Sequence, residues 1–187
     1  MSFQKSLTLF FLFIIIFCCL FIPFSQVASS GNSNLSASGF LWPTPNYTTI
    51  TSPFGKRTSP TAGASSYHKG IDIAAAEGSN ILAIIDGEIT FTGFLGGGGY
   101  TLTLTSSSLQ ITYCHLSPIY IVQKGELVKQ GQIIARVGPK YVYGVPGNRY
   151  TDSNGRPTNG ATTGVHLHLG FRLDGEYVNP LEYLSPS

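Results

Sequence analysis

This chain of 187 residues holds three cysteines. Cys18 and Cys19 lie in an apolar run near the start, and Cys114 stands alone beyond it. An internal disulfide in the remaining chain is therefore excluded, and Cys114 reads as a small buried hydrophobe. Charge of one sign is also missing, with 11 Lys and Arg against 9 Asp and Glu. So near-neutral a balance argues against nucleic acid as a partner. No segment repeats a long helical apolar period, and no internal repeat is visible. The pattern H-E-x-x-H is absent, which excludes a helix-borne zinc site with an adjacent glutamate base.

The one long apolar run is LFFLFIIIFCCLFI, from Leu9 to Ile22, with Lys5 before it and Pro23 and SQVASS after it. Residues 1–29 read as a signal peptide, with Val27 and Ser29 at the two small-residue positions of a cleavage site, or as a retained N-terminal membrane anchor. Phe17, preceding Cys18, fills a position where a lipoprotein would carry a small residue, so lipidation is not expected. Residues 30–39 form a Ser/Asn/Gly linker that reaches roughly 35 to 40 Å at most. Either reading places the following domain, residues 40–187, outside the cytoplasmic membrane, secreted or tethered through residues 9–22. Such a domain is long enough to bury a core without disulfides, and a monomer is the default expectation.

From Phe40 onward the pattern is β. ILAII and EITFTGF flank Asp86-Gly87, a hairpin signal. TLTLT alternates and turns through Ser106-Ser107-Ser108 into LQITY. HLHLGFRL and EYV are joined by Asp174-Gly175, a second hairpin signal. Only VNPLEYL near the end suggests a helical turn. The fold class expected is mostly β, an antiparallel sheet, sandwich or barrel of short strands. Residues 139–163 are rich in Gly, Pro, Asn and Thr and form a loop long enough to be functional or disordered. Tyr141, Tyr143, Arg149 and Tyr150 are candidates there for substrate contact, or are turn and packing residues. Asp152 and Asn154 suggest an Asx-type turn more simply than a calcium site.

The chain has four histidines: His68, His115, His166 and His168. In GVHLHLGF, strand alternation turns His166 and His168 to one face and Leu167 and Leu169 to the other. YHKGIDIA sets His68 four residues before Asp72, and YCHLS carries His115. Any one histidine is more often structural than chemical. Together with Asp72 they offer three zinc ligands, His68, Asp72 and one of the pair, with two imidazoles left over. With no glutamate base nearby, histidine is the remaining candidate to take a proton from the attacking water.

TSPFGKR, HKGIDIA, YCHLS and GATTGVHLH, in that order, resemble the lysostaphin/LytM-like zinc metallopeptidases, peptidoglycan endopeptidases, over roughly residues 40 to 183. The resemblance implies a β-sheet fold of the duplicated hybrid motif type with a narrow groove walled by loops. It implies Zn2+ held by His68, Asp72 and His168, with His115 and His166 activating water and stabilising the transition state. It also implies peptidoglycan peptides as substrate. Three departures stand out. Leu169-Gly170 replaces the family's frequent Phe-Glu. Tyr67 adjoins His68 instead of standing a few residues before it, so the tyrosine role of some members is not carried over. The segment before Thr163-Gly164 is longer than usual.

The main rival is a non-enzymatic cell-wall-binding or regulatory module of the same fold, against which the full ligand set argues. Turns in GELVKQGQIIARVG also resemble biotinyl/lipoyl carriers and sugar phosphotransferase domains, but the carrier's Met neighbours are missing and the N-terminus indicates export. A latent site is a further expectation to test, with Asn46, Asn32 or Asn34 as residues that would reach the metal.

Overall fold

The computed structural model describes residues 39–186. The apolar run, the cleavage site, most of the linker, Asn32 and Asn34 lie outside the described residues. Among the described residues no helix is long and apolar enough to cross a membrane.

The order of elements is β1 (Ile50–Ser52), β2 (Gly55–Lys56), β3 (Tyr67–His68), β4 (Ile71–Ile73), β5 (Asn80–Leu82), β6 (Gly87–Phe94), β7 (Tyr100–Ser106), β8 (Leu109–Cys114), β9 (Leu127–Val128), β10 (Ile133–Arg136), β11 (Leu167–Leu173) and β12 (Glu176–Val178). One sheet runs β1-β4-β11-β8-β7-β6-β9, with β12 also paired to β11. All of these pairings are antiparallel. The pairs β5–β10 and β2–β3 form two small separate sheets. The mostly β, antiparallel expectation holds.

Alternation decides which face of the large sheet is core. Ile71 and Ile73, Leu167, Leu169 and Phe171, and Ile111 and Tyr113 are fully buried. The intervening residues Asp72, His168, Gly170, Arg172 and Thr112 line a cleft on the opposite face. A single-residue slip in register would exchange these two sets, so burial of the apolar set fixes the cleft's composition.

The turn at Asp174-Gly175 closes β11 onto β12 as expected, with φ values of 50° and 89°. Ser107 at φ 54° turns β7 into β8. VNPLEYL forms a short 3-10 turn, Pro180–Glu182, in which the Asn179 side chain accepts from the Leu181 N–H at 3.1 Å. The Asp86-Gly87 hairpin does not form. β5 pairs with β10, and β6 pairs with β7 and β9. Asp86 instead accepts from the Gln130 N–H and from Lys129 Nζ, each at 2.8 Å, and so ties down the turn after β9. Gly87 serves close approach: a Cβ there would stand 2.5 Å from the Thr105 carbonyl oxygen.

Candidate metal centre and cleft

The sheet register sets one half of the site. Asp72 on β4 and His168 on β11 are direct cross-strand partners, and His168 is in turn opposite Cys114 on β8. His68 ends β3 and is buried. His68 Nε2 lies 3.1 Å from Asp72 Oδ1, His168 Nδ1 lies 2.9 Å from the same oxygen, and the two nitrogens are 2.9 Å apart. These donor atoms form a compact His68–Asp72–His168 cluster.

Hydrogen bonding from behind sets the tautomer of His68. Its Nδ1 is 2.8 Å from the Pro53 carbonyl, which can only accept, so Nδ1 carries the proton and Nε2 presents a lone pair to the cluster. A lone pair and a carboxylate facing each other need a positive partner. A tetrahedral zinc, with bonds of about 2.0–2.2 Å, would hold its ligand atoms about 3.3 Å apart, close to the spacings observed. The donor set therefore fits such an ion.

Asp72 is the electrostatic centre of the cluster. Burial pushes its carboxyl up, but the surrounding imidazoles of His166, His168 and His68 outweigh that and hold it well below the usual carboxylate range. Its other oxygen receives Arg57 Nη1 at 3.1 Å, and the same nitrogen donates to Ser52 Oγ at 2.7 Å. Arg57 is the last residue of TSPFGKR, and nothing in that motif alone assigns it a partner. Its only local signal is a cation close ahead of His68.

Gly70 sits between the two donors of the H-x-x-x-D segment for a steric reason. A Cβ there would overlap the Leu169 carbonyl oxygen and stand 2.8 Å from the His168 ring. Gly170, the departure after H-x-H, lies under the Lys69 carbonyl, 3.1 Å from where a Cβ would be.

The second half is built from loops. His115 follows β8 with φ 59°, a left-handed conformation that costs a non-glycine residue about 1–3 kcal/mol. The conformation is held from both sides, by His115 N–H to the Gly98 carbonyl at 2.8 Å and by Gly138 N–H to the His115 carbonyl at 2.9 Å. The His115 Nδ1 donates to the Asn159 carbonyl at 2.7 Å, which leaves Nε2 as a lone pair. Burial, helped by the neighbouring His166 and His168, pushes the pKa of His115 down to about 3, so it is neutral. His166 directly precedes β11. Its Nδ1 donates to the Gly164 carbonyl at 3.0 Å, and its Nε2 is 3.5 Å from Asp72 Oδ1. The two rings lie 4.7 Å apart between centroids. All four histidines and Asp72 thus line one cleft of about 1030 Å³.

Residues 139–163 reach this cleft only at their end, through Ala161, Thr162 and Thr163. The four loop residues considered for substrate contact do not line it. Tyr141 donates to Asp152 and stacks under Arg156, Tyr150 packs beside Gly63, Tyr143 is solvent-exposed, and Arg149 borders a separate small hollow. Asp152 is an Asx turn, its oxygens taken by the Asn154 and Arg156 N–H groups, the Arg156 side chain and Tyr141. Asn46 lies in an exposed turn at φ 69° and does not line the cleft.

Asn159, which the sequence reading passed over, knits this half together. It is fully buried, its Oδ1 accepts from Tyr100 N–H at 2.8 Å, and its Nδ2 donates to the Leu116 and Pro139 carbonyls at 2.9 and 3.3 Å. Cys114 is buried beside the site, which raises its thiol to about 12 and makes it inert.

Comparison with known proteins agrees with this geometry. The model of Peptidase family M23 matches residues 66–180. The chain is 34% identical over 142 residues to the DD-carboxypeptidase/endopeptidase Mpg of Neisseria meningitidis serogroup B, covering 75% of this chain and 28% of that protein. It is 29% identical over 159 residues to the murein hydrolase activator NlpD of Salmonella dublin, covering 84% of this chain and 34% of that protein. Both relatives are thus matched over about a third of their length or less. The solved catalytic domain of the antimicrobial peptidase lysostaphin from Staphylococcus simulans superposes with a TM-score of 0.57 at 26% identity, covering 74% of this chain and 92% of that one. The order of motifs, the antiparallel sheet beneath a His–Asp–His cluster and a family match across most of the described residues agree, and the chain belongs to peptidase family M23.

Proposed function

We propose that this protein is a zinc-dependent endopeptidase that hydrolyses peptide bonds in peptidoglycan stem peptides or cross-bridges, with residues 40–187 as the peptidase domain. The observation that carries the reading is the convergence of His68, Asp72 and His168 within one cleft, beside two further imidazoles that are not part of the donor cluster.

His68 Nε2, Asp72 and His168 Nδ1 would hold the ion. Zinc bound there supplies Lewis-acid polarisation of the scissile carbonyl and acidification of the attacking water. The chain's own residues do the rest. His115 and His166 each have Nδ1 tied to a backbone carbonyl, so each, when neutral, offers one lone pair at Nε2. One of these takes the proton of the attacking water and passes it to the leaving amine, and the other, in its protonated form throughout, donates its Nε2–H to the developing oxyanion. Arg57 holds the second oxygen of Asp72 and so orients the carboxylate toward the histidines. Export through residues 1–29 would put the domain where peptidoglycan lies.

The similarity to NlpD keeps one other reading in view, a wall-binding or activating module of the same fold. The complete donor set favours the enzyme. The test assays the full chain for bound zinc and for release of new amino termini from purified peptidoglycan, beside His168→Ala. Stoichiometric zinc and cleavage, both lost in the variant, is the expected result. Absence of both metal and cleavage in the unaltered protein would sink the enzyme reading in favour of the module.

A further inference from the structure

The cleft continues from the histidines along β11 to a second cluster of side chains. Gly170 and Arg172 follow His168 on the same strand face, so Arg172 lies about 13 Å from His168 along the strand. Arg172 Nη2 donates to the Tyr177 hydroxyl at 3.1 Å, and its guanidinium stacks on the Tyr177 ring at 4.6 Å. Lys69 Nζ stands over the same ring at 4.5 Å. Both cations and the ring line the cleft.

Nothing among the described residues neutralises this pair. Neither Lys69 nor Arg172 has a carboxylate within ion-pair distance. Among the described residues Asp72 is the only acidic one lining the cleft, and it is already engaged by the histidines and Arg57. Opposite Arg172 on β8, where a glutamate would complete a cross-strand ion pair, stands Gln110. Arg172 has five N–H donors. Only the hydrogen bond to Tyr177 engages them, and Nε is buried without a partner. Two cations held against one ring, with no carboxylate at either, leave unused hydrogen-bond donors for an anion in this part of the cleft.

We propose that Lys69, Arg172 and Tyr177 form a carboxylate-binding subsite, which anchors an acidic group of the substrate peptide a few residues from the scissile bond. The inference rests on the peptidase reading for its substrate, but the subsite is a property of the cleft whether or not a bond is cut. Arg172 supplies a planar fork for the two carboxylate oxygens, Lys69 a mobile point charge, and Tyr177 fixes both. The substrate class this selects is an extended peptide carrying a free carboxylate, on a side chain or at its C-terminus.

The test uses the full chain and two pairs of short Ala/Gly peptides. One pair differs by an internal Glu or Gln, the other by a free or amidated C-terminus. Affinity is read as Kd for peptides that stay intact and as KM for those that are cut. One acidic member should bind about tenfold more tightly than its amide, a preference that Arg172→Gln abolishes and Lys69→Gln reduces. The pair that responds identifies the source of the carboxylate. Equal affinity for acid and amide in both pairs, or an unchanged preference in Arg172→Gln, would overturn the subsite. Should Arg172→Gln not fold, Lys69→Gln decides alone, since an undiminished preference there overturns it equally. Cleavage judges the peptidase reading separately. Acid preference without cleavage would keep the subsite and leave the enzyme to be judged on purified peptidoglycan, and cleavage without acid preference would keep the enzyme and end the subsite.

Discussion

The two halves of the site are held in different ways. Asp72 and His168 are placed by the register that buries Ile71, Ile73, Leu167 and Leu169, and His68 by the short strand β3, which pairs with β2 in a separate small sheet. His115 and His166 are placed by loops, through carbonyls of Asn159 and Gly164 and a left-handed backbone at His115. The first half rests on backbone pairing over the buried core. The second depends on a buried network of side chain to backbone hydrogen bonds, where each partner lost leaves a polar group unsatisfied. Metal retention and catalysis should therefore be separable by mutation.

The sharpest way to break the comparison is His115→Ala. It should keep stoichiometric zinc while peptide cleavage falls by about 10²- to 10⁴-fold, the range for loss of one positioned acid or base. If metal is lost together with activity, as in His168→Ala, the two halves are one unit and the division is wrong. Asn159→Ala comes next. It abandons Tyr100 N–H and the Leu116 and Pro139 carbonyls, so about 2–4 kcal/mol of stability should go, read by denaturant unfolding. Turnover should drop with it, because the Asn159 carbonyl orients His115, and zinc stoichiometry in the folded fraction should not.

The same division separates what was legible in the sequence from what was not. Alternation in GVHLHLGF put the two leucines in the core and the two histidines in the cleft, although His166 stands just ahead of the strand. The antiparallel fold and the turn at Asp174-Gly175 follow from local patterns. Strand patterns are local and periodic, so they can be read. Asn159 holds Leu116 across 43 positions, and Arg57 reaches Asp72 across 15. No periodicity encodes such contacts. Asp86-Gly87 misled because the same dipeptide serves a turn or, as here, a carboxylate that ties a distant loop and a glycine that admits a carbonyl. Of the two readings open for the tyrosines of 139–163, the structure favours turn and packing roles: Tyr141 packs on Asp152 and Arg156, Tyr150 packs beside Gly63 and Tyr143 faces solvent, none lining the cleft.

Arg57 tests the strand-built half with a smaller effect. Arg57→Gln removes the cation from Asp72 Oδ2 and should weaken zinc affinity by about 10- to 100-fold, measured by chelator competition. Arg57→Lys should recover part of it, since charge is restored without the fork that also serves Ser52. Unchanged affinity in both variants would mean the sheet register alone orients Asp72.

The smallest effect belongs to the outer part of the loop. Burial pushes the Asp152 carboxyl up, but hydrogen bonds from Arg156, Tyr141 and Asn154 outweigh it and hold it below the usual carboxylate range. A carboxyl with a lowered folded pKa adds stability above its unfolded value of about 3.9, and that stability is lost as pH falls through the folded value. Asp152→Asn should therefore melt below the unaltered protein at pH 7, with the gap narrowing as pH drops below about 4. Zinc content at pH 7 should be the same in both, because Asp152 does not line the cleft. A constant gap across pH would show that Asp152 acts through the shape of its turn instead of its charge. A loss of zinc would extend the loop-built half into the metal site, and the boundary between the two halves would have to move.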